Sequence, residues 1–234
     1  MLDQVVNISD RRYKDLGMRY QRSYPNESLI QFLASRYFAL PVDERRKTPI
    51  LEVGCGTGAN LWMIAKEGFS AYGIDSSDTA VSLAEQHLRD KWGVKADLQV
   101  GNFHALPFKS GYFDAVVDVV SLQHLNLADS EGALTEIRRV MKSEDSWFFS
   151  YRLSDASVMF KHGGGKRIDE ATLDNIIDSS MPLANNGPIS FWSPALVQEI
   201  YPRVGLAVKS IERVGRTYST SRYVEYLAVS AQAA

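Results

Sequence analysis

The stretch Pro49–Asn60, PILEVGCGTGAN, constrains this chain more than any other. Ile50-Leu51-Glu52-Val53 reads as a buried strand. It runs into a glycine loop, Gly54-Cys55-Gly56-Thr57-Gly58, and a helix opens from Asn60. Glycine takes positive φ freely and has no Cβ, so such a loop turns sharply and brings main-chain N–H groups close to a ligand. The helix N-terminus behind it favours negative charge. These properties describe a socket for a nucleotide-like cofactor. The spacing Gly54-x-Gly56-x-x-Ala59 also satisfies the dinucleotide fingerprint G-x-G-x-x-G/A, so the loop by itself leaves the cofactor open.

Strands and helices alternate on both sides of the loop. After a helix ending near Gly68, Ala71-Tyr72-Gly73-Ile74 forms a second strand reaching Asp75. Ser76 or Ser77 caps a helix in which Val81, Ala84, Leu88 and Trp92 recur at three- and four-residue intervals before Gly93. A third strand, about Asp97–Val100, leads to Gly101-Asn102-Phe103, and the β-branched run Phe113–Leu122 reads as a central strand. Ser130 is placed to cap the next helix, and Ser146–Tyr151 is a fifth strand. This alternation predicts an α/β architecture with a parallel sheet and helices on both faces.

The flanks are less regular. Residues 1–47 carry arginines and tyrosines, then a helix capped by Asn26 with Leu29, Ile30, Leu33 and Tyr37 at helical spacing. From Arg152 to about Ser193 the periodicity lapses, apart from a helical piece near Glu170–Ser179; loops this long usually serve as lids or binding loops. A helix from Pro194 and two strands, Leu206–Arg216 and Arg222–Ala231, joined by Thr217–Ser221, close the chain. At 234 residues, one core accommodates all of it. The expected organisation is a single domain over 1–234, with an N-terminal helical cap (1–47), a cofactor-binding core (48–151), a substrate-specificity insertion (152–193) and a C-terminal helix with hairpin (194–234).

Taken together, E-V-G-C-G-T-G, G-I-D at Asp75, L-P-F at Leu106–Phe108 and F-D-A-V-V at Phe113–Val117 resemble the class I S-adenosylmethionine-dependent methyltransferases, particularly their small-molecule branch. The resemblance covers about Ile50 to Val140. It implies a Rossmann-like seven-stranded sheet, mostly parallel with a C-terminal antiparallel hairpin, an N-terminal helical lid and an insertion after strand five. Many relatives have a proline-glycine turn where this chain has Lys142-Ser143-Glu144-Asp145.

The cofactor implied is S-adenosyl-L-methionine. Its carboxylate suits the amides of Gly54, Cys55, Gly56 and Gly58, and its ammonium suits Glu52, for which the alternative reading is an anchor for the loop. Asp75, with Ser76 beside it, falls where an acid accepts hydrogen bonds from ribose hydroxyls, as it does in NAD enzymes. Asn102 stands where relatives commonly carry the aspartate that accepts from the adenine amino group, and Phe103 either packs on the adenine or belongs to the core. Asp118 and Val119 would line the pocket near the sulfonium, unless Asp118 caps a neighbouring loop. Cys55 reads as a small buried residue rather than a nucleophile, since methyl transfer is a direct displacement.

For the acceptor, His124 is the candidate general base and Gln123 a comparable contact, because both follow strand four on the edge facing the methyl donor in relatives. Tyr20 (against the cofactor) and Tyr24 (against the substrate) belong to the lid. Tyr151 and Arg152, at the end of strand five, would open onto the same face, with Arg152 holding an anionic group. His162, Lys166, Arg167 and Trp192 are the insertion's candidates. Gly163–Lys166 is not a Walker loop, since it lacks the spacer and the following Ser or Thr.

The net charge of -2 and the lack of an Asn/Asp-Pro-Pro-Tyr/Phe motif argue against nucleic acid, and no run approaches the roughly 18 apolar residues of a membrane helix. One cysteine excludes an internal disulfide and a structural zinc site, and fits the cytoplasm. No metal is expected, and the oligomeric state is open. The expected function is methyl transfer to an O or N atom of a small, polar or anionic metabolite. The alternatives are an NAD-linked oxidoreductase and a catalytically silent cofactor-binding subunit.

Overall fold

The computed structural model describes residues 2–143, 145–218 and 222–234, of which 2–7 by backbone alone. Helix α1 (Leu2–Leu16) and a short turn lead to α2 (Glu27–Tyr37), whose first amides are met by Asn26: its Oδ1 accepts from Leu29 N at 3.1 Å. After α3 (Val42–Arg45) come β1 (Pro49–Val53), α4 (Leu61–Lys66), β2 (Ser70–Asp75) and α5 (Asp78–Gln86). Ser77 caps α5, and a π-helical turn, His87–Trp92, extends it to Gly93 in the left-handed conformation. Next are β3 (Asp97–Val100), β4 (Ala115–Val119), a 3₁₀ turn (Leu122–His124), α6 (Leu127–Val140) and β5 (Trp147–Leu153). Finally come α7 (Val158–His162), β6 (Thr172–Leu173), β7 (Ile189–Ser190), α8 (Pro194–Arg203), β8 (Leu206–Tyr218) and β9 (Arg222–Ala233).

The main sheet has seven strands in the order β3-β2-β1-β4-β5-β9-β8. The first five are parallel; β9 runs antiparallel to both β5 and β8. A dinucleotide fold would continue with a second parallel half, and the β9–β8 pair takes that place. Strands β1 and β4 are buried along their whole length, because helices cover both faces, which is why they read as unbroken apolar runs. One face packs Val116 and Phe148 under Ile137 of α6 and Tyr201 of α8; the other packs Val117 and Phe149 under Leu29 and Phe32 of α2. Chain order reverses between β1 and β4, so a crevice opens at their carboxyl ends, where Gly54 and Val120 begin their loops.

Four local expectations need correction. Asn126 rather than Ser130 caps α6, its side chain accepting from Asp129 N at 2.8 Å, so the helix starts earlier. The central strand stops at Val119, because Val120 turns left-handed with φ 61°. Strand five runs two residues further than its predicted end at Tyr151, to Leu153, paired with Tyr226. Glu170–Ser179 forms no helix: Thr172–Leu173 pairs with Ile189–Ser190, and Phe191 N donates to Ala171 O at 2.8 Å, which folds the insertion onto itself. Of the expected connection Thr217–Ser221, residues 219–221 lie outside the described residues, as does Glu144 of the turn before β5. Among the described residues no helix is long and apolar enough to cross a membrane.

Candidate functional site

The glycine loop is held by the sheet beneath it. Gly54 and Cys55 donate their N–H groups to Ile74 O (2.8 and 3.0 Å), Gly56 to Asp75 Oδ2 (2.9 Å) and Gly58 to Cys55 O (3.0 Å). Thr57 N donates to the side chain of Gln21, on the N-terminal cap, at 3.2 Å. The expectation that these amides receive a carboxylate is therefore corrected: they are spent on shaping the loop. Gly54 and Gly56 have φ of +67° and +51°. A Cβ on Gly54 would lie 2.2 Å from Ser121 Cβ, and one on Gly56 2.0 Å from Gln21 Oε1. At Gly54 close approach to the turn after β4 adds to the demand of a positive φ, whereas at Gly56 the neighbour is the movable end of Gln21 and the φ is the stronger constraint.

Three carboxylates stand at the strand ends. Glu52 is 2 % exposed; its Oε1 accepts from Asn60 Nδ2, and its Oε2 has no partner among the described residues. Burial pushes its pKa up to about 8. Asp75 accepts from Gly56 N and, at 2.9 Å, from Ser77 N, and burial raises its pKa as well. Asp118 is fully buried and turned into its own loop. Its Oδ1 accepts from Ser121 N (3.0 Å), Ser121 Oγ (2.5 Å) and Leu122 N (3.0 Å), and its Oδ2 from Ser150 Oγ (2.7 Å). The loop-capping alternative for Asp118 is the one its geometry fits. That cap holds Val120 left-handed, a conformation costing a β-branched residue on the order of 1–3 kcal/mol.

Two adjoining cavities, of about 670 and 760 Å³ counting space open to solvent, share Tyr20, Gly54, Val119 and His124 and so form one cleft. Asp75, Ser76 and Phe103 line one end; Glu52, Cys55 and Gln123 line the other. Gln123 is 2 % exposed and its Oε1 has no partner among the described residues. His124 Nδ1 lies 3.3 Å from Pro188 O. A carbonyl only accepts, so Nδ1 carries the proton and Nε2 the lone pair. Burial, the largest influence, lowers the pKa of this imidazole, so it is neutral and basic at neutral pH. The Cys55 thiol is buried and its pKa raised, consistent with a small packing residue.

Other expected residues lie elsewhere. Asn102 is exposed and its Oδ1 accepts from His104 N at 3.0 Å, an Asx turn within its own loop. Gly58 packs beside Leu88. Tyr24 is 62 % exposed and sits edge-on to Trp62 and Trp92, away from the cleft. Tyr151 stacks on Tyr226, with ring centroids 4.7 Å apart. Arg152 is fully buried over Trp192, so neither opens onto the cleft. His162, Lys166 and Arg167 are exposed, with Arg167 lying over Phe160. The insertion instead reaches the cleft through Leu183 and Asn186, and Arg12 of α1 clasps it by donating to Asn185 O (3.0 Å) and Asn186 Oδ1. Tyr13, Gln21 and Arg22 complete the roof. The Arg/Tyr cluster of the cap was the sequence signal for these; Leu183 and Asn186 had none beyond an Asn-rich loop.

The donor set fits the cofactor the resemblance implies. A buried carboxylate oxygen without a partner, Glu52 Oε2, suits an ammonium, and Asp75 with Phe103 suits a nucleoside at the other end. Residues 50–144 match the family described as "Methyltransferase domain". A sterol 24-C-methyltransferase from Pneumocystis carinii is 30% identical over 131 residues, 54% of this chain and 34% of that protein. A ubiquinone biosynthesis O-methyltransferase from Methylococcus capsulatus is 31% identical over 100 residues, 43% of this chain and 41% of that protein. The chain thus matches well under half the length of these curated relatives. Among solved structures, a Burkholderia thailandensis 1,6-didemethyltoxoflavin-N1-methyltransferase, with S-adenosylhomocysteine bound, superposes with a TM-score of 0.68 at 14% identity, over 99% of this chain and 88% of that one. This last likeness concerns the fold.

Proposed function

Because the chain belongs to the class I S-adenosylmethionine-dependent methyltransferases, residues 50–144 forming the family's domain, we propose that it methylates an O or N atom of a small polar molecule. The observation that carries this reading is the single cleft that joins Glu52 Oε2, Asp75 and the neutral imidazole of His124. The relatives above are named for methylating carbon, oxygen and nitrogen, so the choice of O or N rests on His124. A base beside the methyl donor is useful where the attacking atom must lose a proton.

In this reading S-adenosylmethionine supplies an electrophilic methyl group on sulfur. Glu52 binds the ammonium, and Asp75 accepts from the ribose. Gln123 Oε1 accepts a hydrogen bond from the acceptor and orients it, while His124 Nε2 takes its proton. Arg22, Asn60 and Asn186 give the Glu52 end a polar lining, which supports a polar acceptor. Arg22 replaces Arg152 as the cation available to an anionic group.

The test is calorimetric titration with S-adenosylmethionine, S-adenosylhomocysteine and NADH, followed by turnover with candidate acceptors. The first two are expected to bind and NADH not; NADH binding alone would return the reading to an oxidoreductase, and binding without turnover on any acceptor would favour a silent subunit. A pH dependence follows from Glu52. Its proton is retained up to about pH 8, and an ammonium favours the carboxylate, so binding at pH 7 releases a proton. S-adenosylhomocysteine affinity should therefore rise with pH and level off near 8. In Glu52→Gln that part of the slope should vanish; a slope unchanged in the variant would remove Glu52 from the ammonium site.

A further inference from the structure

The guanidinium of Arg152 is buried, and among the described residues none of its nitrogens has a hydrogen-bond acceptor. It lies 3.6 Å over the ring of Trp192, whose own indole N–H is unpaired, as is the hydroxyl of Tyr201. An aromatic face attracts a cation but supplies no counter-charge. A buried charge needs an opposite one.

The topology supplies it on the next strand. Asp118 of β4 is in register with Ser150 of β5, and Ser150 Oγ donates to Asp118 Oδ2 at 2.7 Å. Ser150 and Arg152 are two residues apart on one strand and so share a face with Asp118. Tyr201, from α8, packs on the same side, its ring centroid 6.2 Å from that of Trp192. Ser150 thus binds the buried carboxylate on the face that holds the buried cation, and Tyr201 packs over that same face.

We propose that Arg152 is the charge partner of Asp118 across the face that β4 and β5 share with Ser150 and Tyr201, and thereby a positioning residue for the turn that carries Gln123 and His124. Asp118 Oδ1 gathers the donors of Ser121 and Leu122 and holds Val120 in its left-handed conformation. A carboxylate accepts those bonds most strongly when charged, and its charge is sustained in a dry core by a cation. Arg152 acts on the cleft through Asp118, without touching it. The inference stands on this packing and does not depend on which cofactor the cleft takes.

The experiment compares Arg152→Met, Asp118→Asn and the double variant by thermal unfolding and by amide hydrogen exchange at Ser121 and Leu122. Asparagine retains an oxygen for the turn and gives up the charge. Arg152→Met is expected to lower the unfolding midpoint by roughly 10 °C and to speed exchange at both amides by more than the whole-protein average. Asp118→Asn in that background should restore at least half of the lost midpoint and slow the exchange again. Losses that simply add would overturn the pairing. Should Arg152→Met not fold, Arg152→Lys poses the same question with opposite sign. Lysine keeps the cation, so Asp118→Asn should then deepen the loss, and relief there would refute the proposal.

Discussion

Alanine at position 54 is expected to weaken S-adenosylhomocysteine binding by about 100-fold while the protein remains folded. The added Cβ would stand 2.2 Å from Ser121 Cβ and 2.5 Å from Ser121 Oγ. Ser121 has little room to withdraw, since its Oγ lies 2.8 Å from Val53 O and within hydrogen-bond reach of Asp118 Oδ1, with one proton shared between the two acceptors. Either the turn after β4 moves or the loop leaves its place, and both line the cleft. The φ of +67° adds the left-handed penalty of about 1–2 kcal/mol, and the overlap another 1–3 kcal/mol. About 2.7 kcal/mol corresponds to the 100-fold loss. Gly58→Ala is the control: its φ is +78°, but its Cβ would meet Ala84 Cβ at an ordinary 3.5 Å, so only the backbone penalty applies. Equal losses in the two variants, read by calorimetry, would mean that conformation rather than close approach explains Gly54.

The second large effect is on turnover. His124→Gln should lower kcat by ~10²–10⁴-fold once an acceptor is found, with cofactor affinity changed by less than about three-fold. Nδ1 is committed to Pro188 O, which leaves the lone pair on Nε2 for the acceptor's proton. Because burial lowers the imidazole pKa, the wild-type rate should fall on the acid side at a lower pH than an ordinary imidazole would give, as the base becomes protonated. A glutamine side chain cannot take the proton, so the variant should lose that acid limb. A His124→Gln enzyme with near-normal kcat would make this histidine a packing residue and would point to an acceptor that needs no base.

The clasp between the N-terminal segment and the loop at Asn185–Asn186 explains why the roof of the cleft was harder to read than its floor. Glu52, Gly54, Asp75 and Val119 lie within or next to strands whose register is set by short-range apolar pattern, so their approach to one crevice follows once the strands are recognised. Gln123 and His124 benefit from the same proximity to β4. Tyr24, Arg152, Lys166 and Trp192 had the right chemistry in the right neighbourhood, yet the Trp62–Trp92 stack draws Tyr24 outward. The β-strand alternation that puts Phe149 and Tyr151 on one face puts Ser150 and Arg152 on the other, under α8.

What the amino-acid order alone determined was the sheet's parallel core, the glycine loop at its carboxyl edge and the acids at the ends of β1 and β2, because each depends on neighbours a few residues apart. What the tertiary structure decided was which side chains roof the cleft and which cations reach it. Arg12 meets Asn185 and Asn186 from the far end of the chain, and Arg152 is turned inward by Trp192 and Tyr201. Those contacts join segments that share no local pattern, and their geometry exists only once the sheet and its helices have packed.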